Sequence, residues 1–162
     1  MGTEQITTYL NDHLAGSVVA IELLEHLESA HAGSPLETFF AELRTDIIAD
    51  RQELEALMGG LHIKQSSARR ASAWLTEKFT ELKLRLDDPS KGPLLLLESL
   101  DVLSLGIEGK RLLWRALAAA SEQSDWLRVL NYERLINRAE GQRRNVEAVR
   151  LEAAKKALIP DL

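Results

Sequence analysis

An all-α bundle is the fold class this sequence predicts, on three observations. Apolar residues recur at three- and four-residue spacing through long stretches. The breaks are few and sharp: Gly33-Ser34-Pro35, Gly59-Gly60 and the run from Asp87 to Pro93. No segment alternates apolar and polar residues as a strand does. With 162 residues, 45% apolar and 28% charged, the chain is long enough for one core. It is read as a single domain over 1–162.

The first helix is expected over about 3–31. Leu10, Leu14, Ile21, Leu24 and Leu27 make its apolar stripe, and Gly33 stops it. Ser34-Pro35-Leu36-Glu37 is a start signal, with Ser34 as cap, Pro35 in the first turn and Glu37 three residues on. The second helix, about 35–58, carries Phe40, Leu43, Ile47, Leu54 and Leu57, and Gly59-Gly60 ends it. The third, about 66–86, has a narrow stripe of Ala71, Leu75, Phe79, Leu82 and Leu86 and a polar remainder, as an outer helix would. The fourth, about 93–120, is apolar on most sides, which predicts a central place or a subunit interface. The fifth, about 125–158, is capped by Ser124 and carries Tyr132, Leu135, Ala139, Val146, Val149 and Ala153.

Helices of these lengths span roughly 35–50 Å, apart from the third at about 31 Å. The short links make hairpins of helices one and two and of helices four and five. The third helix can carry the chain back along the bundle, so that helices two and four run parallel. The alternative is an up-down bundle in which the third helix is an ordinary member.

Two long hairpins joined by one long crossover resemble the ferritin-like superfamily over nearly the whole chain. The chain is also similar to a bacterial group of such proteins that lacks the usual di-iron ligand set. The similarity lies in Tyr9-Leu10-Asn11-Asp12-His13-Leu14-Ala15-Gly16, Ala73-Trp74-Leu75-Thr76-Glu77-Lys78 and Gly106-Ile107-Glu108-Gly109-Lys110. The resemblance implies a ferritin-like four-helix bundle with an additional crossover helix between bundle helices two and three. It implies no activity.

A di-iron centre of that superfamily needs four carboxylates and two imidazoles, with Glu-x-x-His pairs on two helices. Here the histidines are His13, His26, His31 and His62, so the last two long helices supply none. The sole Glu-x-x-His spacing is Glu28 to His31, at the end of the first helix, where a solvated helix end explains it as well. The residues left for a metal ion, iron or manganese, are His13, Asp50, Glu28 and His31. No cofactor is predicted.

A polar trace runs through the apolar stripes instead. His13 borders the stripe of the first helix, and Asp50 sits inside that of the second. Lys110 and Gln142 interrupt the fourth and fifth, and Glu98 lies on an apolar flank. One reading is a buried network, with Asp50 paired to Lys110, that fixes the register of parallel helices. The other is a carboxylate-centred pocket for a metal ion or small ligand. Gly106 and Gly109, with Ser99 and Val102, make a small-residue face. Close approach of a helix or aromatic ring explains it most simply, and room for a ligand is the alternative.

The remaining composition narrows the function classes. With no cysteine there is no disulfide, zinc–thiolate site, iron–sulfur cluster or thiol catalysis. Phosphate loops, the Gly-x-Ser-x-Gly elbow and His-Glu-x-x-His are absent. Apolar runs such as Leu94 to Leu97 and Leu117 to Ala120 are far too short to span a bilayer. The acidic first thirty residues do not read as a signal peptide, so a cytoplasmic location is expected. Residues 1–62 hold 2 basic and 11 acidic residues, and residues 63–162 hold 18 and 14. Interleaved glutamates on the fifth helix favour pairing with the acidic first hairpin over nucleic-acid binding. The expected role is a non-catalytic interaction or structural bundle that self-associates as a homo-oligomer, away from membranes and nucleic acid. The alternative is a degenerate ferritin-like protein with a metal or small-ligand site in its core.

Overall fold

The computed structural model describes residues 2–66, 77, 78, 80–82, 85 and 92–159. Four long helices carry the fold: α1 (Gly2–Ala30), α2 (Pro35–Gly60), α3 (Gly92–Ser121) and α4 (Tyr132–Leu158). A short 3₁₀ turn, Asp125–Leu127, precedes α4. Among the described residues there is no strand, and no helix is long and apolar enough to cross a membrane. Of the third helix expected over 66–86, residues 77, 78, 80–82 and 85 are helical and Ser66 is not. Its other positions lie outside the described residues.

Two apolar clusters set the helix directions. One joins Leu24 and Leu27 of α1, Phe40 and Leu43 of α2, Leu97 and Leu100 of α3, and Val146 and Ala153 of α4. The other joins Leu10 and Leu14, Leu54 and Leu57, Leu113 and Leu117, and Tyr132 and Leu135. Chain order along each helix then makes α2 parallel to α3, with α1 and α4 running the opposite way. The chain therefore leaves α2 at one end of the bundle and enters α3 at the other. α1 packs on α2, α3 packs on α4, and the hairpins meet where α1 lies against α3.

The helix ends differ from the sequence expectation in instructive ways. The Ser34 hydroxyl does not cap α2; it donates to the His31 carbonyl at 2.7 Å. Glu37 reaches back one residue further than expected and accepts from the Gly33 N–H at 2.6 Å. Gly33 takes φ +80°, the left-handed turn expected of it. At the other end of α2, Gly59 and Gly60 do not stop the helix but complete its last turn. The left-handed residue is His62, at φ 55°. The Ile63 N–H bonds to the Met58 carbonyl at 2.9 Å and the His62 N–H to that of Gly59 at 3.1 Å. This is a Schellman closure, and the contact that goes with it is made by buried Met58 and Ile63.

The fifth predicted helix is two elements. Ser124 makes no capping bond, and the chain turns through the 3₁₀ segment before α4 begins. The true cap is Asn131, whose side chain accepts from the Arg134 N–H at 3.0 Å. Arg128 explains the interruption. Its Nε donates to the Ser121 carbonyl and its Nη2 to that of Glu122, each at 2.7 Å, closing the end of α3. The Tyr132 hydroxyl then donates to the Leu127 carbonyl at 2.6 Å and pins the turn.

Candidate functional site

Among the described residues, Asp50 is the buried side chain with the most hydrogen-bond partners. It sits on the core face of α2 and is 2% exposed. Its Oδ2 accepts from Lys110 Nζ at 2.5 Å and from Gln142 Nε2 at 3.1 Å. Its Oδ1 accepts from Arg138 Nε at 2.7 Å. Lys110 Nζ also donates to Gln142 Oε1, which closes a ring of three side chains from α2, α3 and α4. Each buried member of the ring has its partners within the ring, and removing one leaves the others unpaired. Burial pushes the Lys110 ammonium below the usual lysine range, against the upward pull of Asp50.

The structure thus brings Asp50, Lys110 and Gln142 together and adds Arg138 of α4, which pairs with the acidic first hairpin through Asp50. Glu98 is not part of the core. It is partly exposed and accepts from Arg85 Nη1 at 2.8 Å. The flank it shares faces outward, with Leu94, Leu105 and Leu112 exposed beside it. Glu28 accepts from Arg44 Nε at 2.9 Å, across the first hairpin. His31 lies beyond the end of α1, its ring centroid 5.7 Å from that of Phe40. Neither shares a site with Asp50. Among the described residues no three His, Asp or Glu side chains gather in a way that could hold a metal ion.

His13 does share a site with Asp50. Both line a cavity of about 580 Å³ between α1 and α3, with α2 behind it. Its walls are mostly apolar, including Val19, Ala20, Ile47, Leu54, Val102 and Leu113. Gly16, Gly106 and Gly109 line it as well. Among the described residues, nothing lies within 4 Å of a Cβ built on any of the three. The close approach expected at Gly106 and Gly109 is therefore not made by those residues. Both glycines line the cavity. Trp114 forms part of the wall, 1% exposed, and its indole N–H has no acceptor among the described residues.

Asn11 is a buried polar residue that periodicity does not single out. Its Nδ2 donates to the carbonyls of Thr7 at 2.9 Å and Lys64 at 3.1 Å. Its Oδ1 accepts from the Ser66 N–H at 2.7 Å, so it ties the chain leaving α2 to α1. The signal available for it was its position one residue after Leu10 on the stripe edge.

His13 packs edge-on against Tyr9, ring centroids 4.8 Å apart. Burial holds its imidazole below the ordinary histidine value of 6.5, and the Asp12 charge pulls the other way. On unfolding the ring returns to that value. Below pH 6.5 the unfolded chain therefore takes up a proton that the folded chain resists, and stability falls as pH falls. His31 is lowered by burial in the same sense. A His13→Gln variant is expected to lose less stability than the parent on acidification through this window. Thermal unfolding on both sides of pH 6.5 checks this, and identical slopes for the two proteins would contradict it.

No family model, curated protein or solved structure matches the chain.

Proposed function

We propose that this chain is a non-catalytic binding bundle whose α1–α3 cavity takes a small, largely apolar molecule. The observation that carries this reading is the cavity itself, with Gly16, Gly106 and Gly109 on its wall and, among the described residues, nothing within 4 Å of a Cβ built on any of the three. Glycine inside a helix costs about 1 kcal/mol relative to alanine. Here it is set against a cavity whose volume lies in the range of about 300–1,000 Å³ usual for ligand sites. The saturated Asp50 cluster at the floor supports binding over catalysis, because no carboxylate oxygen there is left to act as a base. The parallel α2 and α3, with one long return between them, support a ferritin-like arrangement. The missing late histidines weigh against a di-metal centre within it.

Stability and binding separate the roles of the glycines. Gly106→Ala and Gly109→Ala are each expected to stabilise by up to about 1 kcal/mol, or roughly 2–4 °C in unfolding midpoint. Gly109→Leu is expected to fold and to block the cavity. N-phenyl-1-naphthylamine, a neutral apolar dye, is expected to brighten on titration with the parent protein and with Gly109→Ala but not with Gly109→Leu. A parent protein that leaves the dye dark, together with alanine variants that lose stability, would mean the chain itself fills this space and would sink the reading.

A second reading, self-association, is supported by Leu105 and Leu112, which are 56% and 49% exposed along one side of α3. It predicts a sedimentation mass that rises with concentration and reverts to monomer in a Leu105→Glu, Leu112→Glu variant.

A further inference from the structure

We propose that the molecule held in the α1–α3 cavity is an uncharged alcohol or phenol whose hydroxyl donates to the bare ring nitrogen of His13, with its apolar remainder along the walls. This rests on the reading of the cavity as a ligand site and adds the chemical class of the ligand and the residue that selects it.

His13 stands in the middle of the wall that α1 gives to the cavity. His13, Gly16, Ser17 and Ala20 follow at three- and four-residue spacing, and all four line it. The imidazole packs edge-on against Tyr9, one turn earlier. Neither ring nitrogen bonds to a described residue, and neither is sealed away as the Trp114 indole nitrogen is. Both therefore keep accessible surface. Burial outweighs the pull of Asp12 and holds the ring in its uncharged form at neutral pH, with one N–H and one bare nitrogen. A hydroxyl answers either nitrogen, accepting from the N–H or donating to the bare one. The bare nitrogen is the stronger selector, because an ether or a hydrocarbon has no proton to give it.

The other polar groups of the lining do not compete. Ser17 gives its proton to the Leu14 carbonyl at 2.6 Å. Asp50 accepts from Arg138 on one oxygen and from Lys110 and Gln142 on the other. Lys110 gives two of its three protons to Asp50 and Gln142. The charges at this floor cancel, with Asp50 and the field of Asp46 set against Lys110 and Arg138. Asp12 adds one negative charge at the exposed rim. A carboxylate ligand therefore meets no net positive charge inside and a like charge at the mouth. An ammonium ligand has Asp12 to pair with, but that carboxylate is exposed to water, where a single ion pair contributes little. An uncharged ligand avoids the desolvation penalty that either ion carries into an apolar cavity.

Octanol, 1-methoxyoctane, octanoate and octylamine share a chain and differ at one end. Each is used to displace N-phenyl-1-naphthylamine at neutral pH, below its solubility and micellar limits. Octanol is expected to bind the parent protein severalfold more tightly than either charged ligand. Its affinity relative to methoxyoctane is expected to fall about fivefold in His13→Leu, the weight of one neutral hydrogen bond. His13→Gln retains an acceptor oxygen and is expected to keep most of that preference. In ¹⁵N-labelled protein, the imidazole resonances that vanish in His13→Leu are expected to shift with octanol. A charged ligand that binds tightest overturns the uncharged class. An octanol-to-ether ratio unchanged in His13→Leu, or unmoved imidazole resonances, overturns the assignment to His13. In each of these cases dye binding keeps the cavity reading standing. Failure of the dye to bind the parent overturns both.

Discussion

Asp50→Ala lowers the unfolding free energy by about 3–5 kcal/mol, the loss expected when one partner of a buried ion pair is removed. The substitution leaves Lys110 with only the Gln142 oxygen and deprives Arg138 Nε of its acceptor. In a chain of this size the unfolding midpoint falls by on the order of 10 °C. The single variants rank by burial. Lys110→Met costs less than Asp50→Ala, because Arg138 and Gln142 still hold the carboxylate. Arg138→Met costs least, because its side chain is 25% exposed and water can stand in for it. Asp50→Leu combined with Lys110→Met recovers much of the loss, since the Lys110 charge goes with its partner and water can reach the partly exposed Arg138. Chemical denaturation of these variants, the Asp50→Leu single and the parent measures this. A double variant as unstable as the sum of the singles would show that the pair is not coupled.

Trp114 gives the second large effect, and it depends on what replaces it. Trp114→Ala removes a fully buried ring from the cluster around Leu113, Leu117 and Leu135 and costs about 3–5 kcal/mol. Trp114→Phe is expected to be close to neutral. The lost ring volume costs about 1 kcal/mol. Against that, the substitution removes an indole N–H that is buried without an acceptor among the described residues, a burden of about 1–3 kcal/mol. Thermal unfolding of both variants without ligand tests the pair. A phenylalanine variant as damaged as the alanine one would mean that the indole N–H is bonded in the folded protein.

Much of the fold was legible because burial leaves a periodic trace. Leu10, Leu14, Leu24 and Leu27 on α1 and Leu43, Ile47, Leu54 and Leu57 on α2 are all buried as their spacing predicts. The same rule exposed Asp50, Lys110 and Gln142 as interruptions. It failed where apolar composition and burial part company. The Glu98 flank of α3 is rich in leucine, yet Leu94, Leu105 and Leu112 on it are exposed. Arg138 was hidden for another reason: a long stem lets a guanidinium at the edge of a stripe turn inward or outward, and periodicity does not say which. Caps were the least legible feature. Ser124 and Asn131 are both good N-cap residues, and the choice is made by Arg128 and Tyr132 bonding the turn between them. Glycines were read as packing contacts because that is the commoner cause of glycine in a bundle helix. Only coordinates separate a glycine facing a neighbour from one facing open volume.

The ring around Asp50 also orders events in time. Its bonds to Lys110, Arg138 and Gln142 close over 60, 88 and 92 residues of chain. Inside each hairpin the first contacts close over shorter loops, such as 16 residues from Glu28 to Arg44 and 32 from Lys110 to Gln142. Short loops form first, so the two hairpins assemble before they dock, and the ring is made on the native side of the rate-limiting barrier. Its loss should then fall on the lifetime of the native state. In stopped-flow denaturant series, Asp50→Ala is expected to unfold on the order of a hundredfold faster or more and to refold at nearly the parent rate. The Asp50 carboxylate would act as a latch that sets how long the assembled bundle lasts, with little part in how quickly it is found.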